Sequence, residues 1–260
     1  MALKPATAKE VAGAISSCAI QDIPGLCERY SDDPRRQVQK ACATAMRKYE
    51  KAQAEKTRVS NMYAYEAEIA GKGICIGLDE VGRGSLAGPL TVCAVALPQD
   101  PIIWGINDSK KLTPSTREVL AEEIKKYALA IGIAHIPPEK IDEWGMSKAL
   151  KMAFAQAIED TGVDPSCVLL DGNPMHIHPK EKNVIKGDAK IACIAAASIV
   201  AKVTRDAMMV EADPVYPQYH FADCKGYASP AHIEAIRQYG LSPMHRLSFC
   251  GNFLETPSLF

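Results

Sequence analysis

The 260-residue chain is notable first for what it lacks. Its 9 cysteines, an odd number, include no Cys-x-x-Cys pair. A zinc ribbon and a disulfide framework are therefore excluded, and reduced, mostly buried thiols are expected. No apolar stretch approaches the roughly 20 residues of a membrane span; the longest, Ile191 to Ala201, is interrupted by Ser198. No charged-then-apolar leader follows Met1, so no membrane association and a cytoplasmic location are expected. A phosphate-cradling Gly-x-x-x-x-Gly-Lys-Ser/Thr sequence is missing, as are internal repeats and low-complexity segments. Net charge is nearly missing too: 30 Lys+Arg against 31 Asp+Glu leave -1, with a pI near 6.6. Taken alone, that value argues against a nucleic-acid partner. At 47% hydrophobic and 23% charged residues, the chain has the makeup of a globular protein with a substantial core. Wholesale disorder, collagen and coiled coil are excluded.

The missing charge is a cancellation. Residues 1–72 carry 12 basic and 9 acidic side chains, and residues 73–260 carry 18 and 22. Arg35, Arg36, Lys40, Arg47, Lys48, Lys51, Lys56 and Arg58 crowd one stretch that holds only Glu50 and Glu55 as acids. Such a tract has two readings, a solvated helix face or a surface that tracks a phosphate backbone. Texture changes near Lys72. Before it, Thr7 to Ser17 is Ala-rich, and a longer helix is expected after Asp33-Pro34 with Pro34 in its first turn; residues 1–72 read as a small helical N-terminal extension. After it, strands are expected over Ile74–Val81, Leu90–Leu97, Ala130–Ile136, Val168–Asp171 and Asn183–Lys186. Helices are expected over Thr113–Tyr127 with Thr113 as N-cap, Ser147–Asp160, Ala189–Val210 and Pro230–Tyr239. The fold class is α/β, with a central sheet in residues 73–260.

Chemistry concentrates where an apolar strand runs into Asp79-Glu80 and then Gly82-Arg83-Gly84. A dinucleotide-binding loop is the rival reading, but the spacing here is Gly-x-Gly-x-x-x-Gly, and the acids precede the glycines instead of lying on the following strand. Carboxylates at element ends recur at Asp171-Gly172 and at Asp188, before a long helix. Singly, Asp171 reads equally as a turn opener and Asp188 as a helix cap. As a set of four at the ends of one sheet, they would repel one another unless protons or cations intervened. All-oxygen ligands favour magnesium or manganese over zinc, and two such ions make the clamp used for in-line phosphoryl displacement. Asp79 and Glu80 point to opposite faces of a regular strand. Either the strand is distorted there, or the two acids serve different sides of the metals.

Asp79-Glu80-Val81-Gly82-Arg83-Gly84 with Gly88-Pro89 is followed by Asp108-Ser109-Lys110-Lys111-Leu112, Asp171-Gly172, Lys186-Gly187-Asp188 and Ala195–Asp206. Lys225-Gly226-Tyr227 and His245-Arg246-Leu247-Ser248-Phe249 complete the series, which closely resembles bacterial ribonuclease HII, motif by motif and in order, over about residues 73–250. The resemblance implies a ribonuclease H-like fold, a central mixed sheet flanked by helices. It also implies endonucleolytic cleavage of RNA in RNA–DNA hybrids and at ribonucleotides embedded in duplex DNA, leaving 3′-hydroxyl and 5′-phosphate ends. It makes Asp79, Glu80, Asp171 and Asp188 the catalytic carboxylates that bind Mn2+ or Mg2+. Gly82, Arg83 and Gly84 become the loop that reads the ribose 2′-hydroxyl, the one group that distinguishes RNA locally. Tyr227 becomes the tyrosine on the neighbouring sugar. The sister family, ribonuclease HIII, acts on long hybrids; Arg83 and the helical N-terminal extension count against it. A non-catalytic hybrid-binding protein would explain the basic tract but not four clustered acids.

Lys110 and Lys111 suit phosphate contacts or plain solvent exposure. Lys202 and Arg205 share a helix face and suit substrate binding, with a Lys202–Asp206 ion pair as competitor. His176 and His178 read as loop polars, and Tyr216 and Tyr219 as packing residues. The end, Thr256 to Phe260, resembles a sliding-clamp-binding peptide without its leading glutamine; a tail packed on its own domain is the alternative.

Overall fold

The computed structural model describes residues 6–254. They form two compact units divided at Ser60, within the helical stretch that precedes the change of sequence texture near Lys72. The reason lies in α3, Arg36–Ala70: its last turns belong to the second unit. There the Tyr63 hydroxyl accepts from Ile103 N–H at 3.0 Å, and a Glu66 carboxylate oxygen accepts from Cys193 N–H at 2.8 Å.

In the first unit, α1 (Ala8–Ser17) begins with a capping box between Thr7 and Glu10, which satisfies two otherwise orphaned amides. It is followed by α2 (Ile23–Arg29), with Pro24 in its first turn. Val11, Ile15, Ile23, Cys27, Val38 and Ala45 close a small core. Pro34 lies outside α3, which starts two residues later. Asp33 accepts from both the backbone N–H and the guanidinium of Arg35, and this clamp prepares the helix start. Arg58 likewise pairs with Glu55. Arg36, Lys40, Arg47, Lys48, Lys51 and Lys56 are exposed. Four of them, Arg36, Lys40, Arg47 and Lys51, recur at the spacing of one helical stripe.

The second unit is built on a five-stranded mixed sheet: β1 (Cys75–Val81), β2 (Leu90–Ala96), β3 (Ala130–Ile136), β4 (Cys167–Asp171) and β5 (Glu181–Val184), in the order β3-β2-β1-β4-β5. β1 pairs antiparallel with β2, and β2 with β3; β1–β4 and β4–β5 are parallel. The helices are α4 (Pro114–Tyr127), α5 (Pro138–Trp144), α6 (Met146–Asp160), α7 (Ala192–Ala212), α8 (Phe221–Cys224), α9 (Pro230–Tyr239) and α10 (Leu247–Cys250). Thr113 caps α4 by accepting from Thr116 N–H. α6 packs on one sheet face with Ile76, Leu78, Leu90, Val92, Leu150 and Phe154 in the core; α7 covers the other. β2 is buried along its whole length, as a central strand covered on both faces must be. All nine cysteines are free. Among the described residues no helix is long and apolar enough to cross a membrane.

Two elements depart from expectation near the site. β5 ends at Val184, because Lys186 takes a left-handed conformation and starts a tight turn over Gly187–Ala189. α7 consequently begins at Ala192, so Asp188 does not cap it. The cap comes from outside: buried Glu66 accepts the Cys193 amide, where the helix dipole favours a carboxylate.

Candidate active site

Gly77 explains how close α7 lies to β1: a Cβ there would come within 2.4 Å of Cys193 and Ile194 backbone atoms. Two residues on, Asp79 shares that face and is held by Ser198 of α7, whose hydroxyl also lies 2.9 Å from that of Ser109. The β1–β2 register runs unbroken through Asp79↔Cys93 and Glu80↔Val92. The strand is therefore regular, and Glu80 emerges on the opposite face, with its carboxylate 3.6 Å from Arg83 Nη1. Parallel pairing of Leu78 with Leu170 brings Asp171 to the same sheet edge, one residue further along β4. The Lys186 turn returns Asp188 to that edge, and Gly187 N–H donates to Asp171 Oδ1 at 2.8 Å.

Burial is the main force pushing the carboxyls of Asp79, Glu80 and Asp188 up. Asp79 rises to about 7, with Glu80 and Asp188 adding repulsion and the Ser198 hydrogen bond opposing it. Glu80 is raised by burial and by Asp171, against the pull of Arg83. Asp188 is raised by burial, Asp108 and Asp171, against Lys110. No three of these carboxylates have oxygens within 4.8 Å of one another, as expected of like charges held apart by repulsion. An all-oxygen set whose charge is so disfavoured fits a hard divalent cation. The one tight group of ligand-type atoms among the described residues is Glu66, Cys75 and Cys193. It is explained without a metal, since Glu66 caps α7, the Cys75 thiol is raised by its hydrogen bond with Cys193 and by burial, and the Cys193 thiol by burial.

A cleft of about 430 Å³ opens beside the cluster, lined by Asp79, Glu80, Gly82, Arg83, Gly84, Ser109, Lys110, Ser198, Lys202 and Tyr227, with Val81 at its base. The Gly82–Pro89 loop on its wall is gripped from behind by two buried arginines. Arg205 is fully buried and donates to Pro89 O, Ala87 O, Ser85 Oγ and Lys225 O at 2.8–2.9 Å. Arg246, equally buried, donates to Gly88 O and to Arg83 O. Gly82 permits this: its φ is +87°, and a Cβ there would lie 2.2 Å from Arg205 Nε. A Cβ at Gly84 would meet nothing within 4 Å, which leaves open space for a ligand against the backbone. Tyr227 is 37% exposed, with Lys202 Nζ and Arg205 Cζ over its ring at 5.7 and 5.4 Å.

The cleft thus gathers the Gly82-Arg83-Gly84 loop, Lys110, Lys202 and Tyr227 beside the four acids. Lys202 also makes the competing ion pair, 2.8 Å from Asp206. Arg205, expected at the substrate, is instead wholly buried and gives four of its N–H groups to Pro89 O, Ala87 O, Ser85 Oγ and Lys225 O, so it positions the loop from behind. Lys111 is exposed and outside the cleft lining. His176 and His178 sit in the β4–β5 loop, with His178 Nδ1 accepting from Lys180 N–H. Tyr219 is buried and stacks on Phe221. Ser109, Ser198 and Arg246 were not among the expected site residues. Ser198 left a signal, a lone hydroxyl in an apolar run one helical turn before Lys202.

Carboxylates at the ends of two adjacent parallel strands of a mixed sheet, facing a glycine-arginine loop, define a nuclease of the ribonuclease H-like class. The family model for ribonuclease HII matches residues 76–252, and that for the ribonuclease HII N-terminal domain matches residues 7–70. The chain is 41% identical to ribonuclease HII of Geobacillus thermodenitrificans (strain NG80-2) over 249 residues, 95% of this chain and 96% of that one. It is 47% identical to that of Ruminiclostridium cellulolyticum over 204 residues, 77% of this chain and 80% of the other. Among solved structures, the PCNA:RNase HII complex from Archaeoglobus fulgidus aligns at a TM-score of 0.61 and 26% identity, covering 72% of this chain and 98% of that one. The chain belongs to the ribonuclease HII family.

Proposed function

We propose that the protein cleaves RNA endonucleolytically in RNA–DNA hybrids and at single ribonucleotides embedded in duplex DNA, in the removal of ribonucleotides from DNA. The observation that carries this reading is the joint lining of one cleft by the Gly82–Gly84 loop, Tyr227, Asp79 and Glu80, with Asp171 and Asp188 brought to the same sheet edge. Asp79, Glu80, Asp171 and Asp188 hold magnesium or manganese. When bound, such ions supply the neutralising charge and Lewis acidity that in-line phosphoryl displacement needs. The loop backbone and Arg83 hold the ribose 2′-hydroxyl and its phosphate. Tyr227 packs against the next sugar, where a deoxyribose fits, and Lys110 and Lys202 take flanking phosphates. A water oxygen bonds to phosphorus as the bond to the 3′-oxygen breaks. The 3′-oxygen leaves with a proton, and the phosphate stays on the 5′ side of the downstream fragment. The exposed basic stripe of α3 follows the nucleic-acid backbone.

The test compares Arg83→Ala on a duplex with one ribonucleotide and on a continuous hybrid. The junction substrate should lose most; equal loss on both would reduce Arg83 to a phosphate contact. Residues Thr256 to Phe260 lie outside the described residues. The PCNA complex of the Archaeoglobus fulgidus relative supports a clamp contact for this chain, which the tail's resemblance to a clamp-binding peptide places there, with packing on its own domain as the alternative. Clamp beads should retain the full chain better than one lacking these five residues, and equal retention would end that reading.

A further inference from the structure

Two buried histidines stand behind Tyr227. His232 of α9 is wholly buried and His245 is 3% exposed. The rings of Tyr219 and Phe221 enclose them edge-on or tilted at 4.7–6.2 Å. Their Nε2 atoms lie 3.0 Å apart. His232 Nδ1 is 2.8 Å from Tyr227 O, and Ser242 N–H donates to His245 Nδ1 at 3.0 Å.

These contacts leave one arrangement of protons. A carbonyl only accepts, so His232 Nδ1 carries a hydrogen; a backbone amide only donates, so His245 Nδ1 is bare. Neutral His245 then carries its hydrogen on Nε2 and donates it to the bare Nε2 of His232. Burial keeps both rings neutral, with His245 depressed to about 4. One direction therefore runs from Ser242 N–H through both rings to Tyr227 O.

The ends of this bridge lie on the two halves of the substrate cleft. Residues 244–246 pair with the loop: Gly88 N–H donates to Met244 O, Arg246 N–H donates to Leu86 O, and Ala87 bridges His245. At the other end is the carbonyl of Tyr227, whose amide is tied to Cys224 O. We infer that His232 and His245 are positioning residues whose directed hydrogen-bond bridge, added to the direct bonds that Leu86 and Ala87 N–H donate to Gly226 O, fixes the orientation of Tyr227 beside the Gly82–Gly84 loop, and with it the selection of a ribonucleotide next to DNA. This rests on the proposed roles of Tyr227 and the loop.

Three measurements on the full chain test it. Long-range 15N correlation of the imidazoles at pH 7.5 should show His232 as the Nδ1–H tautomer and His245 as the Nε2–H tautomer. Any other pair, or a protonated ring, overturns the bridge without requiring a variant to fold. Next, His232→Asn keeps an amide donor near the position of Nδ1, whereas His232→Gln reaches towards His245 and deserts Tyr227 O. Tyr227 ring resonances should shift in H232Q and stay near wild type in H232N, whichever substrates are cut. Cleavage of the single-ribonucleotide duplex by H232Q should fall about tenfold through KM, the equivalent of ~1.4 kcal/mol for one buried hydrogen bond. H232N should lose far less, and the continuous hybrid should be little affected in either. Equal effects of the two variants on Tyr227 and on both substrates would overturn the positioning role. Failure of wild type to cut the single-ribonucleotide duplex, with tautomers and Tyr227 shifts as expected, would instead overturn the proposed function.

Discussion

Asp79→Asn should kill cleavage and at the same time stabilise the metal-stripped protein. Asp79 is half-buried beside like charges, and its carboxyl is pushed from 3.8 to about 7. A raised carboxyl keeps its proton in the folded state after the unfolded chain has released it. Folded wild type therefore loses stability as pH rises from about 4 to about 7, and the loss is complete above that window. The full rise corresponds to about 4 kcal/mol. Allowing for water penetration and relaxation, a gain of about 2–4 kcal/mol for the asparagine variant is expected at pH 8 in EDTA, or about 4–15 °C in Tm for a unit of this size. At pH 4 the gain should vanish. Saturating Mn2+ should narrow the pH 8 difference, because wild type binds the ion more tightly and is stabilised by mass action. Thermal and urea unfolding across pH, with and without EDTA, measure all of this. A variant no more stable than wild type at pH 8 without metal, or equally stabilised at pH 4 and pH 8, would refute the argument that charge is stored in this cluster.

Other consequences follow from the same contacts. Arg205→Lys keeps the charge but loses the fork that serves Pro89, Ala87, Ser85 and Lys225. It should cost about 2–4 kcal/mol in urea unfolding and lower cleavage of every substrate; unchanged stability would contradict a structural role. Glu66→Ala removes the cap of α7 and should cost about 1–3 kcal/mol, with Glu66→Gln much milder; equal costs would point to packing alone. Changing Arg36, Lys40, Arg47 and Lys51 together to Gln should flatten the slope of log binding constant against log salt by about 2–4, measured by hybrid binding in an Asp79→Asn background. An unchanged slope would return that stripe to the role of a solvated helix face.

Much of the candidate site was legible because its signals are local. Apolar runs ending in Asp79-Glu80 and Asp171 mark strand ends, and β3 and α9 lie where periodicity put them. What escaped depends on residues far away in sequence. Arg205, three positions from Lys202 on a helix, reads as a second surface cation; only the approach of Pro89, 116 residues away, turns it inward. The start of α7 is set by Glu66, 127 residues before Cys193, so no local cap could place it. The same contact carries the last turns of α3 into the second compact unit, a long-range tie that composition does not show, while the two family models meet between residues 70 and 76. The choice between a distorted strand and acids on opposite faces needed the pairing register of β1 with β2. The near-zero net charge was a poor guide because the exposed basic stripe of α3 and the acids at the sheet edge cancel in the sum while lying on different elements.

The most direct test of the central claim is cleavage by the wild-type protein of a duplex carrying one ribonucleotide, run beside a continuous hybrid, each with magnesium and with manganese. Both substrates should be cut, the products should carry 3′-hydroxyl and 5′-phosphate ends, and EDTA should stop the reaction. Cleavage of the continuous hybrid alone would contradict that claim.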